Sequence, residues 1–251
     1  MTVKKYIYFA SDAHFGLPDP ESSIPREKLF ARWLDQIADS AEEIYLLGDI
    51  FDFWFEYRRV VPRGFTRVLG KIAELSDKGI KVHFFTGNHD LWVFDYLPKE
   101  TGMNVHRKPL KTNIYGKRFF LAHGDGVGCS NKKFHFLKSI FTNKVLQWLF
   151  ARLHPNFAVW IAHKWSISSR YSKDFSAPFK GEENEELFIF ANKMLESEEI
   201  DFFVFGHRHI PLNRQLKNGR SRIVNLGDWL FNFTYATFDG ENIELKKFTP
   251  G

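Results

Sequence analysis

At 251 residues, 44% of them hydrophobic, the chain is long enough to bury a substantial core as one large α/β domain. A single cysteine, Cys129, excludes an intramolecular disulfide framework and points to a reducing compartment. The formal charge of +5 is uneven: residues 131 to 173 hold eight Lys or Arg and no Asp or Glu, leaving the remainder at −3, so an anionic partner is expected, whether a phosphate-bearing substrate, a membrane surface or nucleic acid.

Met-Thr-Val-Lys-Lys leads into a short apolar run, Tyr6 to Ala10, too brief for a signal h-region. No stretch approaches the roughly 18 apolar residues of a spanning helix, so a cytoplasmic protein is expected. Tyr6 to Ala10 reads as a buried strand, followed by Ser11-Asp12-Ala13-His14. Leu29, Trp33 and Ile37 have helical spacing, and the next strand, Ile44 to Leu47, runs into Gly48-Asp49-Ile50-Phe51-Asp52. A second helix is marked by Val68, Ile72 and Leu75, with Gly79 as its stop. Val82 to Thr86 is a third strand and ends at Gly87-Asn88-His89-Asp90. Ile114-Tyr115 turns through Gly116-Lys117 into Phe119 as a hairpin. The strand Phe119 to Ala122 delivers His123-Gly124-Asp125.

From about residue 131 to 170 the pattern changes. Phe134, Phe136, Phe141, Trp148, Phe150, Phe157, Trp160 and Trp165 are interleaved with lysines, and Leu137, Phe141, Val145, Trp148 and Leu149 fit one helical face. Two readings follow: an inserted helical cap, or an amphipathic helical pair whose aromatic stripe is core. Beyond it, Phe202 to Phe205 is a strand ending at Gly206-His207-Arg208-His209, and Ile223 to Leu226 is another, ending at Gly227-Asp228. Thr237 turns through Asp239-Gly240 into Ile243 as a closing hairpin. Alternating strands and helices followed by hairpins predict a mixed sheet assembly with helices outside, in a single domain over residues 1 to 251.

Nearly every metal-capable residue stands at the C-terminal end of a predicted strand, the edge where α/β sheets form ligand sites. Taken singly, Asp12-Ala13-His14 is an ordinary turn or cap, and Gly87-Asn88 a type I′ turn signal. Five such clusters in succession, each after an apolar strand, are a different matter. They define one candidate site from Asp12, His14, Asp49, Asn88, His89, His123, His207 and His209, with Asp52, Asp90 and Asp125 beside them.

These five blocks resemble the signature blocks of the calcineurin-like metallophosphoesterases and span residues 11 to 209. The resemblance implies an α/β fold of two packed mixed β-sheets flanked by helices, a four-layer sandwich with a dinuclear site at the sheet edge. By position, one metal would take Asp12, His14 and His209, the other Asn88, His123 and His207, and Asp49 would bridge them. Two divalent ions about 3.5 to 4 Å apart neutralise a phosphate and lower the pKa of a water held in line with the leaving oxygen. The mixed imidazole, carboxylate and amide donors imply two ions of Mn2+, with iron and zinc as alternatives. His89 would be the catalytic group, as proton donor or as a stabilising cation. Asp52 and Asp90 would orient ligand histidines.

Within the superfamily, the size, the Gly48-Asp49-Ile50-Phe51-Asp52-Phe53-Trp54 block and an insertion just after His123-Gly124-Asp125 are most similar to the UDP-2,3-diacylglucosamine pyrophosphohydrolases of lipid A synthesis. That group commonly carries Arg at the position of His89. The resemblance implies release of UMP and 2,3-diacylglucosamine 1-phosphate. It also implies Asn131, Ser166 and Ser168 as candidate substrate contacts, and peripheral contact of a basic aromatic cap with an anionic inner-membrane surface. The alternative is a metal-dependent phosphodiesterase acting on nucleotides or nucleic acid, its cap stacking bases.

Overall fold

The computed structural model describes residues 4–128, 132–171 and 178–249. One sheet of six strands is ordered β11-β10-β1-β2-β3-β4, comprising β1 (Tyr6–Ala10), β2 (Ala41–Leu46), β3 (Lys81–Phe85), β4 (Asn104–His106), β10 (Thr234–Phe238) and β11 (Ile243–Lys247). The other has five, ordered β5-β6-β7-β9-β8: β5 (Leu110–Ile114), β6 (Lys117–Ala122), β7 (Phe202–Phe205), β8 (Pro211–Gln215) and β9 (Arg222–Leu226). β1 to β4 are mutually parallel, as are β6, β7 and β9, while β5, β8, β10 and β11 run antiparallel to their neighbours. Both sheets are therefore mixed.

Strands buried on both faces account for the continuous apolar runs in the sequence. Ile7 and Phe9 of β1 point between the sheets, where they meet Phe119 and Leu121 of β6 and Phe202 and Val204 of β7. Tyr8 and Ala10 point the other way, under α1 (Pro20–Ile37) and α2 (Thr66–Asp77). On the far side, Phe120, Phe203 and Phe205 lie beneath Leu187, Phe188 and Ala191 of α7 (Glu186–Met194). Helices, sheet, sheet and helix thus make four layers. The central layer is aromatic, with Phe9 stacked on Phe119 at 5.9 Å and Phe119 against Phe238 at 5.0 Å.

Both expected hairpins form, although Ile114 pairs directly with Lys117, so that the first turns at Tyr115-Gly116 rather than at Gly116-Lys117. Tyr115 and Gly116 both have positive φ, 50° and 83°, the type I′ geometry whose twist matches that of the strands.

The short α3 (Tyr96–Thr101) precedes β4, and between β6 and α7 lie α4 (Lys132–Thr142), α5 (Lys144–Phe150) and α6 (Pro155–Tyr171). The single helical face expected from Leu137 to Leu149 is broken. Asn143 takes an extended conformation, and its side-chain oxygen accepts from Val145 and Leu146 to start α5 afresh. Nor is the stripe core: Phe136 is 68% exposed, Val145 65% and Trp148 56%. The segment is seated instead by Trp92, whose indole N–H donates to Phe141 O at 2.7 Å while Phe150 packs against Phe55 and Trp92 at 4.9 and 4.8 Å. Glu56 braces that seat, accepting from Trp54 Nε1 and from the backbone N–H groups of Phe94, Asp95 and Tyr96.

Phe119→Ala is expected to cost about 3–5 kcal/mol in urea unfolding, because it empties the centre of the inter-sheet layer. Phe136→Ala should stay within about 0.5 kcal/mol of the parent, as befits a side chain outside the core.

Candidate metal centre

The C-terminal ends of β1, β2, β3, β6 and β7 converge where the two sheets meet. Pairing continues past the strands: Asp12 N–H donates to Gly48 O, His14 N–H to Asp49 O and Gly206 N–H to His123 O. The loops are thereby held at close approach. A Cβ on Gly87 would lie 2.2 Å from Asp49 Oδ1, and one on Gly206 would lie 2.5 Å from Asp12 Oδ2, so neither position admits a side chain. Among the described residues, eight other than glycine have positive φ, and five of them are Asp12, His14, Asp49, His207 and His209. Strain gathered on the expected ligands is the pattern of a functional site rather than of scattered turns.

Two clusters result. In one, His14 Nε2 and His209 Nε2 stand 3.3 Å apart, with Asp12 Oδ1 at 3.8 and 3.3 Å from them. In the other, His123 Nε2 lies 3.2 Å from Asp49 Oδ2, with the His207 ring 5.2 Å from that of His123. Asp49 Oδ2 is also 3.9 Å from His14 Nε2, which places this carboxylate between the clusters. Asp12, His14, Asp49 and His123 are all buried. Even so, Asp12 Oδ1 and His123 Nε2 make no hydrogen bond. Buried polar atoms of this kind are normally satisfied, and donors converging on one point from carboxylates and imidazoles fit divalent cations.

The charge states agree with that fit. Burial pushes His14 down to about 3, and burial with the charge of His123 pushes His207 down to about 4, so both rings are neutral with a lone pair to offer. Burial opposes ionisation of Asp12 and Asp49, yet the neighbouring histidines hold both carboxyls well below their usual range. Burial likewise opposes charge on His209 and His123. Asp12 nevertheless lifts His209 to about 9, and Asp49 lifts His123 well above its ordinary value. Protons thus sit where the carboxylates call for cations.

A supporting ring fixes these groups. His123 Nδ1–H donates to Leu47 O at 2.7 Å, which leaves Nε2 as the donor atom of that ring. Asp52 Oδ1 lies beside both rings, 3.6 Å from His14 Nδ1 and 3.9 Å from His89 Nδ1. Asp90 has a different task from the one expected. It accepts from the backbone N–H groups of Gly87, Ile50, Phe51 and Asp49, pinning two loops together rather than a histidine. Burial and the charge of Asp49 push its carboxyl up to about 7. His89 N–H donates to Asp49 Oδ1 and its Nδ1 is 3.0 Å from Asp52 O. Asn88 is exposed on the same loop, and Asp125 is ion-paired to Lys138 at 2.6 Å. Asn131 lies outside the described residues; Ser166 and Ser168 fall on α6, with their side chains likewise outside that description.

Sequence patterns underplayed Asp228 and missed Arg26. Asp228 Oδ2 stands 3.6 Å behind His209 Nδ1, while its Oδ1 accepts from three successive N–H groups, so one carboxylate both makes a turn and backs the histidine. The repeat of the Gly48-Asp49 pattern in Gly227-Asp228 is the signal. Arg26, from α1, donates to the carbonyls of Ala13, His14 and Leu17, and no local spacing announces it. Beside His123 opens a cavity of about 710 Å³, lined by Phe94, Phe120 and Phe190 together with Arg107, Lys138 and Lys144.

The sequence profile of the calcineurin-like phosphoesterases matches residues 5–211. A UDP-2,3-diacylglucosamine hydrolase of Porphyromonas gingivalis is 41% identical across 97% of this chain and 98% of its own length. Proteins of the same name from Histophilus somni and Haemophilus influenzae are 28% and 29% identical, each across at least 90% of both chains.

Divalent cations bound at His209 and His123 would displace their protons, so metal uptake should release protons. Its apparent affinity should rise with pH up to about 9, by roughly tenfold per unit for each proton displaced. Calorimetric titration with Mn2+ in buffers of different ionisation enthalpy measures that release, and uptake without it would contradict the assignment.

Proposed function

The chain belongs to the calcineurin-like phosphoesterase family, and from that premise we propose that it hydrolyses the diphosphate of UDP-2,3-diacylglucosamine to UMP and 2,3-diacylglucosamine 1-phosphate. The carrying observation is the pair of Asp–His clusters with Asp49 between them, in a chain that matches a hydrolase of that name at 41% identity from end to end. Asp12, His14 and His209 are assigned to one ion, Asn88, His123 and His207 to the other, and Asp49 to both. The donor set favours Mn2+ over iron or zinc. When bound, two such ions supply Lewis-acid neutralisation of the phosphate and an activated water.

The protein's own groups do the rest. His89, its Nδ1 held by Asp52 O, offers Nε2 to the reacting phosphate. The leaving group here is a phosphate monoester, whose second pKa of about 6 lets it depart as an anion. Stabilising that charge is therefore a better use of His89 than protonating it. The cationic and aromatic residues lining the cavity suit the diphosphate and the acyl chains respectively, with Asn131, Ser166 and Ser168 assigned as further substrate contacts.

In this reading the whole chain works as one domain, and α4 to α6 form its cap. The cap exposes Phe136, Val145, Trp148, Phe157 and Trp160, with Arg152 over the Trp148 ring at 4.4 Å and Lys164 over Trp160 at 4.3 Å. Aromatic rings at headgroup depth beside cations, with no acidic residue among them, suit an anionic bilayer. Among the described residues no helix is long and apolar enough to cross a membrane; the contact in this reading is peripheral, at the cytoplasmic face.

In ³¹P NMR, the Mn2+-loaded protein is expected to form UMP and the sugar 1-phosphate from UDP-2,3-diacylglucosamine and to leave UDP-glucose intact. Cleavage of single-stranded DNA or UDP-glucose in preference would move the protein to nucleotide chemistry. His89→Ala should keep its metal while kcat falls by about 10² to 10³, the scale for losing one charge-stabilising group, and near-parent turnover would remove His89 from the mechanism.

A further inference from the structure

Entry to and exit from the cap are each tied by an ion pair to a loop of the metal centre. On the entry side, Lys138 of α4 reaches back to Asp125 Oδ2 at 2.6 Å. Asp125 is buried and lies two residues past His123. On the return side, Glu185 stands at the N-cap position of α7 and its carboxylate accepts the N–H of Lys180, so it gathers the chain leading into that helix. The same carboxylate is clasped by both arms of Arg208, at 2.9 Å from Nε and 2.7 Å from Nη2. Arg208 stands between His207 and His209, whose φ values of 67° and 53° are strained.

A surface ion pair contributes little to stability, because two mobile side chains lose entropy in forming it. These two differ in that Asp125 and Glu185 are buried, so each fixes a backbone loop at a definite place. Asp125 follows His123 by two residues, and Arg208 directly follows His207. A shift of either loop therefore changes the distance between the two imidazoles assigned to one ion.

We propose that Asp125–Lys138 and Glu185–Arg208 are positioning pairs that couple the seating of the cap to the geometry of the ion assigned to His123 and His207. The proposal rests on that ligand assignment. Coupling of this kind is reciprocal: if a seated cap tightens the metal, the metal tightens the cap by the same factor. An enzyme so built completes its metal geometry only when the lid over the cavity is down.

Electrostatics makes the test decisive in sign. Lys138 is a cation near a dication site, so removing its charge alone would tighten the metal. Only loss of positioning weakens it. Calorimetric Mn2+ titration of Lys138→Ala and Lys138→Met is expected to show one of two sites weakened about tenfold or more, the scale seen when groups supporting metal ligands are lost. Lys138→Arg should restore the parent affinity. Arg208→Lys keeps the charge and loses the two-armed clasp, so a similar loss is expected there from geometry alone. Hydrogen exchange supplies the reciprocal reading: amides of α4 should gain protection when Mn2+ is added to the parent protein and not to Lys138→Met. Unchanged or tighter metal in the Lys138 variants, or α4 protection indifferent to metal in the parent, would overturn the coupling and leave the hydrolase reading standing. A parent protein that binds no Mn2+ would overturn both.

Discussion

Two buried carboxylates, Asp12 and Asp49, set the terms for the rest of this structure. Each lies at the end of a central parallel strand with almost no solvent contact, where an isolated charge would be prohibitively costly. The surroundings answer that cost in three ways. Imidazoles converge from both sheets; backbone N–H groups of His89 and His207 donate directly to Asp49 and Asp12; and the neighbouring positions are glycine, so that the donors can come close. A protein that only needed to fold would be better served by apolar residues at both positions.

The aromatic layer between the sheets is what makes that convergence rigid. Phe9, Phe119, Phe202 and Phe238 lock β1, β6, β7 and β10 against one another, and the loops at the strand ends inherit their relative positions. His123 then joins the sheets a second time, by a hydrogen bond from its ring to Leu47 O. The residues assigned as ligands come from five separate strand ends and are held by a packed core and not by the loops themselves, the arrangement that gives a site precision.

Outside this rigid centre the molecule is built differently. α4 to α6 leave large aromatic side chains in solvent and, among the described residues, Phe150 rests on Trp92 and Phe55, in a neighbourhood organised by the buried carboxylate of Glu56. A basic, aromatic, lightly seated layer over a fixed charged centre suits a substrate with a phosphate end and an apolar end. It also explains why the strongest charge segregation in the chain falls in this one segment.

Much of the centre was legible in the sequence because parallel strands buried on both faces are continuous apolar runs, and because each stops at a glycine or a polar ligand that ends it. Tyr6–Ala10 and Phe202–Phe205 were recognisable to the residue for that reason, and so were the loops that follow them. What local spacing cannot hold is anything decided by a partner distant in the chain. Asp90 looked like a support for a histidine and instead gathers four backbone N–H groups, since only the packed sheets bring Gly87 beside Ile50. Asp228 behind His209 and Glu185 beneath Arg208 are also products of assembly. The helical periodicity from Leu137 to Leu149 was real as a pattern, yet Asn143 interrupts it and much of the stripe faces water. Periodicity reports that a helix has an apolar side; only the tertiary structure decides whether anything covers it, because burial depends on neighbours brought in from elsewhere in the chain.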